Sequence, residues 1–259
     1  MNFQNVNPLN VRINMLSGNL FPMTTDNARF PIGWKIYSAV IWLLTSVIIV
    51  AFLFGFMIVS KTKAISDGMI GTVFVVEVFF MVAHIHTHRD LVVQLIRSMN
   101  GILRVQDEIM RHVVMSSLKL MHSPFKFYWM SGVTTVIIWI TMPLTAIFRK
   151  SSFVYENYRL PFAISKQPFS MEIFLAGSLL LVLCSVYVII KKAAVDIYML
   201  NFVMLMTAQY RYVAIKLERV FQENSWDEHN SLKENYLRTD LWAKTEIKAI
   251  CRHYTIVIQ

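Results

Sequence analysis

Three closely spaced histidines are the first group in this sequence that could bind a metal. His84 and His88 lie four residues apart and so share one face of a helix, and His86 lies between them. A zinc site also needs a third ligand on the same side and further side chains that orient the ligands. No nearby residue clearly supplies these, so the sequence predicts no metal site and no bound cofactor.

The carboxylate Glu77 lies deep within an apolar run that begins near Ile65. An ionisable group at membrane depth is costly and should face a cavity, a pore or a partner. Two interpretations stay open. Glu77 either lines a ligand pocket, or it hydrogen-bonds to a hydroxyl such as that of Thr135 on a neighbouring helix.

Two lysines and an aspartate form a third group, at the end of a later apolar run. Lys192 and Asp196 have the four-residue spacing of an ion pair within one helix, and Lys191 precedes them. We interpret this group as structural. The sequence contains no Ser/His/Asp constellation, phosphate-binding loop or zincin motif, so it does not predict an enzyme.

These residues sit among apolar blocks that are long enough to cross a membrane. Hydrophobic residues make up 56% of the chain, charged residues only 16%, and the mean hydropathy is +0.49. At about 1.5 Å per residue, residues 36–59 exceed the roughly 30 Å hydrocarbon layer. The sequence therefore predicts an all-α, polytopic membrane helix bundle with four spans, at about residues 36–59, 65–84, 127–148 and 173–205.

The regions outside these spans are predicted as follows. Residues 1–34 form an irregular or amphipathic lead, because they are polar and contain Pro8, Pro22 and Pro31. Residues 89–126 carry an apolar stripe at helical spacing, which predicts a stalk beyond the membrane or a helix lying on its surface. The fourth apolar helix continues without Gly or Pro as one long helix, and residues 208–259 extend it as a helical region.

The net charge of +9 indicates which side of the membrane each region occupies. Basic residues flank the apolar blocks and do not cluster with aromatic residues in a polar domain, so the predicted partner is the lipid bilayer and not nucleic acid. The lead, the stretch between spans two and three, and the tail carry most of these residues. The positive-inside rule therefore predicts a cytosolic N-terminus.

The arrangement resembles the insect odorant receptors. The resemblance covers the polar lead before a first span near residue 35, the helical stretch between spans two and three, and a proline-marked loop with Tyr155, Pro161 and Pro168. Further along, Ala194 and Asp196 lie in a fourth helix that continues through Gln209 and Leu217. The tail is similar to the run that leads into the family's fifth span, with Leu241, Glu246, Ile250, Cys251, Arg252, His253 and Ile256.

The resemblance implies a seven-span subunit of an odour-gated, non-selective cation channel, of which this chain is an N-terminal fragment that ends before the fifth span. It implies small hydrophobic odorants and a shared co-receptor subunit as partners, in a hetero-tetramer. It also implies a multi-pass protein of the cell membrane, with the sensory neuron dendrite as the expected location. The family's pore lies in its seventh helix, which is absent from this sequence.

In that family the odorant pocket lies in the outer half of the bundle. Depth and helical face then select nine candidate ligand-binding residues on spans two, three and four: Phe74, Glu77, Val78, Thr135, Trp139, Met142, Ser178, Leu181 and Val182. The alternatives are a gustatory receptor of the same fold, a G-protein-coupled receptor and a transporter. Gln209, Tyr210 and Arg211 look like the end of the third helix in rhodopsin-like receptors, but the Asp of that motif is missing.

Overall fold

The structure is a computed structural model that describes residues 2–23, 30–104, 107–148, 152–158 and 167–227, together with 244, 245, 247, 248 and 251. Within these ranges its secondary structure is helical and contains no strand, which confirms the all-α part of the predicted fold class. The helices are α1 (Phe3–Val6), α2 (Pro8–Ser17), α3 (Ile32–Ile58), α4 (Lys61–Thr87), α5 (Arg89–Leu103), α6 (Glu108–Ile147) and α7 (Met171–Asp227), with a 3-10 turn at Tyr155–Tyr158. Pro161 and most of the predicted tail beyond Asp227 lie outside the described residues.

Two helices in the described residues are long and apolar enough to cross a membrane, namely α3 and the Met171–Val220 portion of α7. The segments Gly71–Thr87 and Arg89–Leu103 meet the same criterion only as a pair, and they are bent by 73° at their junction. Large apolar side chains on α3 face outward, among them Leu43, Phe54 and Met57, which are 67%, 55% and 81% exposed. That surface suits a lipid environment, in which apolar side chains need no protein cover.

The long helix α7 is the axis of the molecule. It runs without a break from Met171 to Asp227, which confirms the prediction of one very long helix, and it packs against α2, α3, α4 and α6. Helix α6 follows it closely: a side chain on Gly132 would lie only 3.4 Å from the Cγ2 atom of Ile189. That distance is an ordinary van der Waals contact, so the two helices pack closely here and a methyl group at residue 132 would just touch Ile189.

The largest buried core lies at the end of the molecule that contains α1, α2, α5 and the first turns of α6, here called the stalk end. The predicted apolar stripe of residues 89–126 is helical, with a break after Arg104, and its Ile96, Met99 and Val114 are buried there. Tyr198 and Phe202 of α7 complete this core, and Phe202 stacks on Phe3 at 4.7 Å between ring centroids. The stripe therefore packs against the other helices at this end.

The N-terminal lead is more ordered than the sequence predicts. Helices α1 and α2 pack into the stalk end, and buried asparagines satisfy the backbone groups around them. Asn14 exchanges two hydrogen bonds with the backbone of Phe21, at 3.1 and 3.2 Å, and the backbone N–H of Phe3 donates to Asn100 at 2.6 Å. The polar composition of the lead serves these buried contacts. Of the two predicted alternatives, irregular or amphipathic, the helices α1 and α2 contradict the irregular one.

A cluster of buried aromatic residues lies at the opposite end, here called the loop end. Phe153 stacks on Phe174 at 4.3 Å, and Tyr158 stacks on the same ring at 4.8 Å. Phe153 and Phe169 also exchange backbone hydrogen bonds, which hold residues 152–158 against the start of α7. Ring packing therefore fixes residues 152–158 on the start of α7.

Candidate functional site

An apolar cavity of about 190 Å³ lies between α3, α4, α6 and α7. Helices α4 and α7 each supply five of its lining residues, and those of α7 are three and four positions apart, so they share one face of that helix. The lining residues are Ile49, Phe52, Leu53, Gly71, Thr72, Phe74, Val75, Val76, Thr135, Leu181, Cys184, Ser185, Val188 and Ile189. None of them is charged.

The hydroxyl groups in this cavity already have partners within their own helices. Thr72, Thr135 and Ser185 each donate to the carbonyl four residues earlier, at 2.8 to 2.9 Å. Their hydrogen atoms are therefore occupied, although each oxygen can still accept a bond. To a bound molecule the wall is apolar, with weak acceptors and no free hydroxyl donor.

A second cavity of about 360 Å³ adjoins the first and shares Phe74, Thr135 and Ile189 with it. Unlike the first cavity it has a polar wall, because Tyr128 and Lys192 also line it. The two cavities together offer a mainly apolar space with one charged donor at its edge.

That donor belongs to an ion network, here called the upper network, which joins three helices. Lys192 Nζ on α7 lies 2.6 Å from Glu77 Oε1 on α4 and 2.7 Å from Asp196 Oδ1. The Tyr128 hydroxyl on α6 donates to Asp196 Oδ2 at 2.6 Å. The predicted pair of Lys192 and Asp196 is confirmed. The partner of Glu77 is an ammonium group and not the hydroxyl of Thr135, which donates within its own helix.

The structure brings three of the nine predicted ligand-binding residues together: Phe74, Thr135 and Leu181 all line the 190 Å³ cavity. The other described residues lie elsewhere. Glu77 is in the upper network, Val78 is buried in the core of the stalk end, Ser178 is buried, and Val182 is half-buried outside both cavity linings. Trp139 and Met142 lie on α6, and their side chains are outside the described part of the chain.

Sequence reasoning missed the contribution of α3 to the cavity. Ile49, Phe52 and Leu53 line it, but α3 is apolar on every face, so no periodicity distinguishes its inward side. It also missed Ser185, which follows Ser178 by two turns of α7. That spacing of small hydroxyl residues was a usable signal.

Among the residues that the structure describes, no cluster of three or more His, Cys, Asp or Glu side chains could hold a metal ion. His84 and His88 contact each other, at 4.3 Å between ring centroids.

Neither family models nor curated proteins nor solved structures match this chain.

Proposed function

We propose that this chain is the ligand-binding portion of an odorant receptor subunit, which binds small volatile molecules between its helices. The observation that supports this most is the uncharged 190 Å³ cavity, to which three predicted ligand-binding residues contribute. Cavities of about 150 Å³ lined by apolar residues stay dry and bind molecules the size of benzene. A space somewhat larger than this suits a small volatile ligand, held mainly by burial of apolar surface.

The polar edge of the adjoining cavity narrows the class of ligand. An ammonium group has three hydrogens, and Lys192 directs two of them to Glu77 and Asp196. The third can donate to a carbonyl, ester or alcohol oxygen. The proposed ligand is therefore apolar over most of its surface, with at most one such oxygen.

The proposal includes four membrane spans in this chain, formed by α3, α4, α6 and the first half of α7, with the N-terminus in the cytosol. In the full receptor, ligand binding would open a cation channel formed with a co-receptor subunit. Helices α4 and α6 carry the features that suit them to a binding site, such as Glu77 and Thr135, and the same polar residues lower their apolar character. Their membrane crossing is supported by their packing beside α7.

A binding experiment tests the cavity. The purified chain, in nanodiscs of neutral lipid, is equilibrated with a panel of volatile ketones, esters and hydrocarbons, and the bound fraction is measured by headspace gas chromatography. Leu181 is buried in the cavity wall, so Leu181→Trp fills the space and should weaken binding at least about tenfold. Leu183→Trp is the matched control, because Leu183 is 45% exposed and does not line either cavity.

Current recordings test the receptor function. The full coding sequence is coexpressed with the co-receptor subunit, and odour-evoked inward current is expected. Leu181→Trp should shift the dose–response curve to higher concentration, whereas Leu183→Trp should leave it in place. Solute uptake without ionic current would contradict a receptor channel and favour a transporter, and equal effects of the two variants would contradict this ligand site.

A further inference from the structure

A third space, chemically different from the two cavities, lies between α2 and α6. It is an open groove of about 1480 Å³, here called the basic groove, and it is larger than the roughly 300–1,000 Å³ of ordinary small-ligand pockets. Its lining is Val6, Asn7, Leu9, Arg12, Ile13, Leu16, His112, Met115, Ser116, Leu118, Lys119, His122, Ser123, Phe125, Lys126, Tyr128, Trp129 and Ile197. Basic residues occur in this lining and acidic residues do not.

The positive charges of the groove form one stripe. Lys119 and Lys126 lie seven residues apart on α6 and so share a face of that helix, and Arg12 faces them from α2. Within the described residues none of the three forms an ion pair, because the ion pairs there involve only Lys192 and Lys216 as cations. The groove therefore has a net positive charge that no neighbouring carboxylate in its lining offsets.

The apolar residues of the groove continue toward the apolar part of α6. Lys126 is the last charged residue before the uncharged run 127–148, and Phe125 and Trp129 line the groove on either side of it. On α2, Leu16 follows Arg12 by four residues and reaches the start of α3, where Tyr37 donates to its carbonyl at 2.7 Å. The groove thus pairs positive charge with an adjacent apolar floor, which matches an amphiphile with an anionic head.

We propose that the basic groove binds an anionic phospholipid, with its phosphate groups at Arg12, Lys119 and Lys126 and its acyl chains along Leu16, Phe125 and Trp129. Basic pockets between helices at the cytosolic surface are suited to such headgroups, because that leaflet is negatively charged. The inference rests on the proposed membrane insertion of α6 but not on the binding of an odorant. The bound lipid would hold α2 and α6 together at the membrane surface.

The test uses the purified chain in neutral-lipid nanodiscs. Incorporation of the chain into the nanodiscs is a separate check that it inserts into a bilayer. Binding of a short-chain, soluble phosphatidylinositol bisphosphate is measured against short-chain phosphatidylcholine and free inositol trisphosphate. The anionic lipid should bind more tightly than both, because only it supplies phosphates and acyl chains together. Replacing Arg12, Lys119 and Lys126 with Gln should weaken its binding roughly 100-fold, at about fivefold per basic residue.

A matched control separates this site from general charge attraction. Arg97, Arg104 and Arg111 are exposed basic residues outside the groove, and replacing all three with Gln removes the same charge. The affinity of this variant for the lipid should be within about threefold of that of the unchanged chain. Salt largely screens interactions between exposed charges that are more than roughly 8 to 10 Å apart. If the groove variant does not fold, Lys126→Gln alone should still weaken binding about fivefold, and Lys126→Arg should preserve it.

Three results would overturn the proposal. Equal loss in the groove and control variants would show charge attraction without a site. Equal binding of free inositol trisphosphate would show that the apolar floor contributes nothing. Equal binding of phosphatidylcholine would show that the basic residues do not recognise an anionic head.

Discussion

Two ion networks of similar composition connect α7 to the rest of the molecule, and their surroundings differ. The upper network holds Lys192 between Glu77 and Asp196, with the Tyr128 hydroxyl on Asp196. The lower network, at the stalk end, consists of Lys216, Asp107 and Tyr212. Its Asp107 carboxylate receives Lys216 Nζ at 3.1 Å and the Tyr212 hydroxyl at 2.7 Å. Each network thus has a lysine of α7, a tyrosine hydroxyl and an aspartate.

The comparison shows how position changes the energetic role of the same groups. The upper network lies beside the apolar cavities, and the part of Glu77 that the protein leaves uncovered, 46% of its side chain, would face lipid under the proposed insertion. A carboxylate there has no water to stabilise its charge. In the lower network the side chains of Lys216 and Asp107 are 22% and 19% exposed, and they lie outside the proposed membrane spans, so water and salt can reach their uncovered parts and screen the charges. The upper network should therefore contribute much more to stability.

The largest expected effect is that of Lys192→Met, which leaves two carboxylates near each other without a cation. We expect a loss of about 3 kcal/mol in the free energy of unfolding, because an unpaired charge in an apolar environment costs several kcal/mol. The measurement is unfolding by SDS titration in mixed micelles. Lys216→Met, the matched control in the lower network, should cost about 1 kcal/mol or less. Equal losses would contradict the difference between the networks.

Contacts between residues that are close along the chain could be predicted from the sequence, whereas contacts between distant residues could not. The pair of Lys192 and Asp196 follows from helical spacing alone. Glu77 lies 115 residues from Lys192, and only the packing of α4 on α7 brings them together. Lys191, next to Lys192, is fully buried with its ammonium 3.4 Å above the ring of Trp42. No local pattern predicts that contact, because it depends on where α3 crosses α7.

The fold was more predictable than the site for a related reason. The length and apolar content of α3 and α7 are local properties, and the 57 residues of α7 contain no helix breaker beyond Gly177 near its start. Cavity walls depend instead on the rotation of each helix about its axis. Depth along the axis matters too: the sequence predicts that Val78 faces a ligand, but it lies one turn beyond Phe74 on the same face of α4, in the core of the stalk end. A helix that is apolar on most faces leaves this rotation undetermined by sequence.

A smaller effect is expected when each tyrosine hydroxyl is removed. Tyr128→Phe deletes the 2.6 Å hydrogen bond to Asp196, and we expect a loss of about 1.5 kcal/mol, within the range for hydrogen bonds to charged groups. Tyr212→Phe deletes the corresponding bond to Asp107 and should cost about half as much, since water can replace it. SDS titration of both variants checks the ranking, and a larger loss for Tyr212→Phe would reverse the comparison.

The smallest effect is the pH dependence of the lower network. Burial raises the pKa of Asp107, but hydrogen bonds from the Tyr212 hydroxyl, the Ile109 N–H and Lys216, with the charge of Lys216, outweigh this and lower the pKa below its ordinary value of 3.8. The folded state therefore binds this proton less readily than the unfolded state. The stabilisation is present above the ordinary pKa and is lost as the pH falls through the lower folded-state value.

The measurement is the difference in unfolding free energy between the unchanged chain and Asp107→Asn as a function of pH. The variant removes the titrating group while all other carboxylates remain, so the difference isolates Asp107. We expect it to be constant above about pH 5, at roughly 1 kcal/mol, and to shrink below about pH 4. A difference that stayed constant through acid pH, or grew there, would mean that the carboxylate charge contributes nothing to the lower network. The tyrosine and lysine of α7 would then hold Asp107 by geometry alone, and the contrast with the upper network would rest on packing and not on charge.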